Sequence, residues 1–195
     1  MHFGHLRPYK GIEALVQAFV EAWPDETDRP RLRIVGRAKE PAYGMSLAAL
    51  VDGLAGVELT EAFLPDAELE AIIGAADLVV LPYKKMNNSG AALLALSIGR
   101  PVLVPDGPTT RELQGEVGPD WVHLFAQPFS ADDLRRAATG QTTTALAAAP
   151  DGVPDLTSRD WPVIGAAYSR LFHALADGSR VRSGPLRLQL KGQPR

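Results

Sequence analysis

Residues 77–104 read DLVVLPYKKMNNSGAALLALSIGRPVLV, and the order of elements in this stretch decides the fold. Residues 78–81 are an apolar run of strand length, and a polar loop follows them. Residues 89–98 are apolar almost all round, which is typical of a helix packed on more than one side. Residues 101–104 form another short apolar run. A strand, a helix and another strand in succession indicate a βαβ unit within a parallel sheet.

The same alternation continues in both directions along the chain. A helix that faces a core is indicated by the spacing of Ile12, Leu15, Val16, Phe19 and Val20. We predict further strands at 1–3, 31–36, 57–60 and 121–125, and further helices at 43–54, 66–76 and from Ser130 onward. Five or six parallel strands with helices between them predict an α/β fold with a doubly wound parallel sheet.

Two of the predicted helices carry more detailed expectations. In the helix at 66–76, the spacing of Leu69, Ile72 and Ile73 predicts that these side chains face the core. Ser130 and Asp133, three residues apart, resemble a capping box at the start of their helix.

The alternating pattern fades beyond about Gly140. Residues 140–152 are typical of a loop or a weak helix end, and helical periodicity resumes at 161–172. Residues 178–195 carry five basic residues and no acidic one. We predict a disordered, solvated tail there rather than a segment that binds a membrane surface. The predicted organisation is one domain at 1–176 and a basic tail at 177–195.

The start of the sequence is short for its predicted place in the sheet. Only Met1, His2 and Phe3 precede the loop glycine Gly4. In a doubly wound sheet of order 3-2-1-4-5-6 the first strand is central, and three residues are few for such a strand. We therefore expect this sequence to be part of a longer protein, with an N-terminal domain before it.

Composition disfavours several classes of function. The 195 residues carry a formal net charge of −3, which predicts no general attraction for nucleic acid. No stretch approaches about 18 continuous apolar residues and no leader pattern is present, so we expect a cytoplasmic protein. The chain has no cysteine, and its four histidines lack ligand-like spacing, so neither a disulfide nor a metal site is expected.

The first loop of the predicted sheet reads GHLRPYKG at residues 4–11. It matches neither the glycine pattern of dinucleotide-binding loops nor that of P-loops. Arg7 and Lys10 precede a predicted helix, whose free N–H groups favour an anion. Together the two cations could neutralise a diphosphate without a metal ion. Isolated pairs of this kind are more often merely solvated, but open parallel sheets bind ligands at this edge, which favours a functional role.

Two later loops also connect a strand to a helix. Asn88, Ser89 and Gly90 lie at the start of the helix at 89–98, where a serine cap, a glycine and free N–H groups can receive phosphate oxygens. Simple capping explains Ser89 equally well, but explains the whole cluster less well. Glu112 follows the strand at 101–104, and it can either orient a sugar hydroxyl or interact with the dipole of its own helix.

In this order, the first loop, residues 77–83, residues 89–102 and Glu112 resemble the donor-binding domain of group 1 (family four) retaining glycosyltransferases. The predicted helix at 161–175 is similar to the helix that closes those enzymes, so the likeness covers about residues 1–176. The resemblance implies the GT-B fold, in which two Rossmann-like domains face each other across a cleft. The C-terminal domain of that fold holds a nucleoside-diphosphate sugar, which is a substrate, and no cofactor is implied.

The resemblance also implies roles for individual residues. Arg7 and Lys10 would grip the diphosphate and stabilise the leaving group, which is the catalytic role. The donor would be surrounded by Gly4 and His5 in the first loop, Gly36 and Arg37 near the nucleotide, Phe63 and Leu64 beside the base, Asn88, Ser89 and Gly90 around the sugar and phosphate, and Glu112 at the sugar. Transfer would be metal-independent and retaining, and this domain would be inactive without an N-terminal acceptor domain.

The sequence departs from the family pattern at two places. His5 stands where an arginine is common, so Arg7 would be its shifted substitute. The paired glutamates of the family are absent, because Asn87 lies near the first position and Leu94 occupies the second. A leucine cannot hydrogen-bond a ribose. Two other functions therefore stay open: a non-catalytic GT-B-like domain that binds a nucleotide sugar or a partner protein, and a GT-B epimerase of nucleotide sugars.

Overall fold

The computed structural model describes residues 1–86, 89–139 and 152–159, together with residues 162, 165, 166 and 169. The chain divides into two compact units, Met1–Pro154 and Asp155–Arg195. The predicted loop at 140–152, closing helix at 161–175 and tail at 177–195 lie almost entirely outside the described residues. They and the domain boundary at 176 stay predictions.

Strands and helices alternate along the first unit, as the sequence predicts. The strands are β1 (His2–Phe3), β2 (Leu32–Gly36), β3 (Val57–Glu61), β4 (Val79–Val80), β5 (Val102–Pro105) and β6 (Val122–Phe125). The helices are α1 (Ile12–Ala22), α2 (Pro41–Val51), α3 (Asp66–Gly74), α4 (Gly90–Ser97), α5 (Pro108–Val117) and α6 (Ala131–Thr139). Short 3₁₀ turns occupy Pro8–Lys10 in this unit and Thr157–Arg159 in the second unit.

The strands form two three-stranded sheets, β1-β2-β3 and β4-β5-β6, and every pair is parallel. The two sheets meet at β1 and β4, where the Val80 N–H donates to the Met1 carbonyl oxygen at 2.8 Å. Taken across this junction, the strands follow the order 3-2-1-4-5-6, which confirms the predicted doubly wound arrangement. β1 is only two residues long, yet it occupies the centre.

The core is built around α1. Its residues Ile12, Leu15, Val16 and Phe19 are buried, while Val20 is only half-buried. These side chains pack with apolar residues of β2, β4, β5 and β6 and with α6. The predicted capping box of α6 is confirmed, because the Ser130 hydroxyl donates to the Asp133 carboxylate at 2.6 Å and the Asp133 N–H donates to Ser130 Oγ at 3.3 Å.

Two expectations about burial were too strong. In α3 only Ile73 is buried, while Leu69 and Ile72 are half-buried. In α4, Leu94 is half-buried although the helix is apolar almost all round. A helix that lies on one face of a sheet buries one stripe of its surface, and periodicity does not report how many layers cover it. No helix among the described residues is long and apolar enough to cross a bilayer.

Helix α2 begins earlier than predicted, at Pro41 rather than Tyr43, and ends at Val51 rather than Leu54. A proline suits the first turn because its missing N–H would have no partner there and its φ is already helical. Pro108 begins α5 in the same way. The consequence for function is that both helices direct their N-termini, and therefore unpaired N–H groups, toward the carboxyl edge of the sheet.

Candidate functional site

The first loop runs beside the loop that follows β2. The Gly4 N–H donates to the Val35 carbonyl at 3.0 Å, and the Leu6 N–H donates to the Arg37 carbonyl at 3.0 Å. The Leu6 side chain is buried beneath the loop. The loop is thus fixed at the carboxyl edge of the sheet, where parallel strands bring their ligand-binding loops together.

Glycines allow this loop to approach its neighbours closely. Gly4 and Gly36, which have φ of +105° and +158°, lie against each other. Gly11, with φ of +69°, ends the 3₁₀ turn and begins α1. A β-carbon on Gly11 would lie 2.2 Å from the Pro82 carbonyl oxygen. The first loop is therefore in contact with the backbone after β2 and with the backbone after β4.

Lys10 is buried at this edge, with 7% of its surface exposed. Burial, together with a smaller contribution from the nearby Arg7 guanidinium, lowers the pKa of its ammonium group to about 8. In the part of the chain that the structure describes, the ammonium forms no hydrogen bond and no ion pair. A buried cation in this state gains from an anionic ligand, because the ligand replaces the lost hydration.

Arg7 lies in the same loop and is half-buried. Its Nε atom is buried and has no hydrogen-bond partner among the described residues. Helix α1 begins just beyond, at Ile12, with Gly11 at the N-cap position, and no side chain caps its N-terminus. Two cations and a helix N-terminus with unpaired N–H groups therefore converge on one edge, which is the arrangement that holds a phosphate.

His2 lies in β1 and was not among the predicted site residues. It is fully buried, and its Nδ1 donates to the Val80 carbonyl oxygen at 2.9 Å. Burial lowers the pKa of the ring to about 3, and the Lys10 cation contributes to the lowering. The neutral ring leaves Nε2 as a buried acceptor without a described partner. The sequence indicated a role for His2 only through its position on β1, because a polar residue in a central strand is unusual.

Tyr83 is a second residue that the sequence analysis did not assign. Its ring is 6% exposed, and the Lys10 Nζ atom lies 5.1 Å from the ring centroid. The edges of His2 and Tyr9 pack against it at centroid distances of 6.2 Å and 6.1 Å. The sequence feature that could have identified Tyr83 is its place directly after the buried β4. An aromatic residue with a polar hydroxyl there lies in a loop at the carboxyl edge.

Ser89 and Gly90 lie at the N-terminus of α4, as predicted. The Ser89 hydroxyl accepts a hydrogen bond from the Ala92 N–H at 3.3 Å. Burial raises the pKa of the Tyr83 phenol to about 12, and Ser89 acts against this rise. Gly90 is exposed, with nothing within 4 Å of the place of a β-carbon. The start of α4 therefore lies near Tyr83. Asn88 lies outside the described residues.

The other predicted donor-binding side chains are less buried than Lys10. His5, Arg37, Phe63 and Glu112 are exposed, Phe63 by 77%, and Leu64 is half-buried. Within the described ranges, no hydrogen bond or ion pair joins these five side chains to Lys10. Their roles in donor binding stay predictions.

A cavity of about 340 Å³ lies at the opposite edge of the sheet. Met1, Leu32 and Leu78 line it at the amino ends of their strands, with Phe19 and Trp23 from the end of α1. None of the three loops described above contributes to it. This cavity therefore lies on the edge opposite to Lys10 and Arg7, whose unused donors mark the candidate site.

Comparison with known proteins adds a family and relatives. The family model described as Glycosyl transferases group 1 matches residues 1–139. The chain is 38% identical over 172 residues to a GDP-mannose:glycolipid 4-beta-D-mannosyltransferase of Xanthomonas campestris pv. campestris. This match covers 88% of the chain and 47% of the relative, so the chain spans about half the length of that protein.

Solved structures share the architecture. AviGT4, a glycosyltransferase involved in avilamycin A biosynthesis, matches with a TM-score of 0.60 at 22% identity, over 91% of this chain and 51% of its own. The C-terminal domain of the group 1 family protein LpcC from Francisella tularensis matches with a TM-score of 0.54 at 18% identity, over 68% of this chain and 69% of its own. The described fold is thus the Rossmann-like half of a GT-B structure.

Proposed function

This chain belongs to the group 1 glycosyltransferase family, and we propose that it holds the donor in an enzyme that transfers mannose from GDP-mannose to an acceptor. The choice of donor rests on the Xanthomonas relative, whose name specifies GDP-mannose. The chain spans 47% of that relative, so the remaining half of such an enzyme would bind the acceptor. We propose that this chain alone binds the donor and transfers no sugar.

The observation that carries the proposal is a pair of cations in the first loop: Lys10, a buried residue whose ammonium forms no hydrogen bond or ion pair among the described residues, and Arg7, whose Nε atom is buried without a partner. When the bond between the sugar C1 and the diphosphate oxygen breaks, additional negative charge develops on the departing GDP. A cation that is already in place and poorly hydrated stabilises this charge without reorganisation. The N-terminus of α1 lies beside both cations and adds partial positive charge.

We also propose that a divalent metal ion is not required. Lys10 and Arg7 together supply two positive charges for the two phosphates, and Arg7 can offer a bidentate fork. Addition of a chelator to the titration described below is expected to leave the affinity for GDP unchanged. A loss of affinity with chelator that magnesium restores would contradict this part of the proposal.

Retention at the anomeric carbon is the stereochemical expectation from the family resemblance. The name of the Xanthomonas relative, which specifies a β linkage, favours inversion instead. With an α-linked GDP-mannose, retention gives an α-mannoside and inversion gives a β-mannoside. The anomeric proton coupling of the product of a full-length enzyme distinguishes the two, and a β product would overturn retention.

The experiment is calorimetric titration of the 195-residue chain with GDP, UDP and ADP at pH 7.0, with chelator. We expect selective binding of GDP that Lys10→Ala and Arg7→Ala each weaken at least about tenfold, since each removes a charge-assisted contact. Arg31→Ala is the matched control, because Arg31 is exposed just before the amino end of β2. A folded chain that binds none of the nucleotides, or binds them equally in all variants, would contradict the proposal.

One observation favours a second candidate, a GT-B-like domain that binds without catalysis. At the place where the family has its second glutamate, Leu94 is half-buried and presents no acceptor to a ribose. This candidate predicts that the full-length protein binds GDP-mannose but neither transfers nor hydrolyses it. Formation of an epimerised nucleotide sugar without acceptor would instead identify an epimerase.

A further inference from the structure

Tyr83 joins two parts of the candidate site that come from different loops. Its ring face lies under the Lys10 ammonium, with Nζ 5.1 Å from the centroid. This distance is within the range of a cation–π interaction. Both side chains are almost fully buried, so the interaction is desolvated and correspondingly stronger than it would be at a surface.

The position of Tyr83 is fixed from several directions. Its N–H donates to the Leu81 carbonyl at 2.8 Å, and its carbonyl accepts a hydrogen bond from the Gln127 side chain at 2.8 Å. The rings of His2 and Tyr9 meet it in edge-on arrangements. A ring held by β1, by the first loop and by the segment after β6 has little freedom to move away from Lys10.

The phenol end of Tyr83 lies near Ser89, in the same segment between β4 and α4. Burial raises the pKa of the phenol to about 12, and Ser89 acts against this rise. The contact that Tyr83 makes with the first loop is therefore the one between its ring face and the Lys10 ammonium.

We propose that Tyr83 is a positioning residue for nucleotide binding: its ring holds the Lys10 ammonium in place in its charged form. This inference rests on the proposed function, because it assigns the Lys10 ammonium to the diphosphate. It adds a group that acts on the nucleotide through Lys10.

The titratable groups around Lys10 decide which of them can cause a pH dependence of GDP affinity. They are Arg7 in the same loop, His2 in β1 and Tyr83 itself. Burial keeps His2 neutral and raises the pKa of Tyr83 to about 12, so neither titrates between pH 6.5 and 9.5. A change in GDP affinity over this interval that depends on residue 10 therefore reports the charge of Lys10.

The test compares Tyr83→Phe with Tyr83→Leu in calorimetric titrations with GDP from pH 6.5 to 9.5. The phenylalanine keeps the ring face, so both the affinity and the pH midpoint of binding stay close to the wild-type values. The leucine removes the ring face, so affinity at pH 7.5 falls about tenfold and the midpoint moves about one pH unit lower. Trp23→Leu, which removes a ring contact near the amino edge, is expected to move neither value.

A second measurement does not depend on binding. The Lys10 side-chain NMR resonance, titrated in the ligand-free chain, should show the same downward shift in Tyr83→Leu and no shift in Tyr83→Phe. If Tyr83→Leu is too unstable to measure, Tyr83→Met replaces it with the same expectation. An unchanged midpoint in the leucine or methionine variant would overturn the inference, as would an equal shift in Tyr83→Phe. If wild-type chain fails to bind GDP at all, the proposed function fails, and the NMR titration still decides whether the ring controls Lys10.

Discussion

A β-carbon placed on Gly36 would lie 1.8 Å from the carbonyl oxygen of Gly4. The contact joins the last residue of β2 to the first loop, which carries Arg7 and Lys10. Gly36 also has φ of +158°, at the limit of the region that favours glycine. The first loop can approach β2 this closely because Gly36 has no side chain.

Gly36→Ala is therefore expected to destabilise the chain by about 2–4 kcal/mol, since the loop must move away from the sheet. The matched control is Gly53→Ala, which has φ of +71° but nothing within 4 Å of the new β-carbon. It should cost only about 1 kcal/mol, from backbone strain alone. Urea denaturation measures both values. If both substitutions lower the free energy of unfolding by the same amount, the contact between Gly36 and Gly4 is not tight.

The affinity for GDP should fall as pH rises through about 8. The pKa of Lys10 is lowered to about 8 by burial and by Arg7, so the ammonium is charged below this pH and loses its charge above it. Affinity should fall by at most about tenfold per pH unit, as expected for one required proton. Titration calorimetry from pH 6.5 to 9.5 gives the profile.

Lys10→Arg provides the control for that profile. Arginine remains charged throughout the interval, so the variant is expected to bind GDP with little dependence on pH. Ionisation of the nucleotide itself affects both proteins alike, so the difference between their two pH profiles reports the charge of residue 10. A fall in affinity that is identical in both proteins would show that Lys10 is not the group responsible.

Acid should destabilise the chain in part through His2. The pKa of His2 is lowered from 6.5 to about 3 by burial, so the unfolded chain takes up a proton first as the pH falls. The contribution of the neutral ring is fully present above pH 6.5 and is lost progressively down to about pH 3.

His2→Phe keeps a ring beside Tyr83 but cannot be protonated. It should be less stable than the wild type near pH 7.5, because it loses the hydrogen bond to Val80. Between pH 6.5 and 5 this difference should shrink by on the order of 1 kcal/mol, which urea denaturation at each pH can resolve. Parallel stability curves for the two proteins would show that His2 does not remain neutral when buried.

Arg29 should stabilise the junction between the end of α1 and the start of β3. Its side chain is only 3% exposed, and it donates to the Trp23 carbonyl at 2.7 Å and to the Ala55 carbonyl at 3.0 Å. Arg29→Ala is expected to cost about 3 kcal/mol, because two partly buried carbonyls lose their donor and the packed side chain is removed. Arg29→Lys should recover less than half, since an ammonium cannot replace the planar fork.

The exposed Arg31 is the control for this substitution. Arg31→Ala should change the free energy of unfolding by less than about 0.5 kcal/mol. Thermal or urea denaturation of the three variants tests the prediction. Full recovery by lysine would indicate that charge alone, and not the geometry of the guanidinium, stabilises the junction.

Features that depend on neighbouring residues were predictable from the sequence. The alternation of strands and helices, the capping box of Ser130 and Asp133, and the order of strands follow from local periodicity, capping chemistry and the connection rules of parallel sheets. The loop cations Arg7 and Lys10 were also predictable as a pair, because they lie three residues apart in one loop. Exact helix ends were less predictable, since Pro41 moved the start of α2 by two residues.

Features that depend on atoms from distant parts of the chain required the tertiary structure. The burial of Lys10, the lowered pKa of its ammonium and its contact with Tyr83 arise because β1 and β4, nearly eighty residues apart in the chain, pair at the centre of the sheet. Desolvation and ring contacts depend on what the fold places around a group, and a sequence pattern does not contain those neighbours. The sequence by itself determined the α/β fold and the charged first loop, whereas only the tertiary structure placed His2 and Tyr83 against the lysine of that loop.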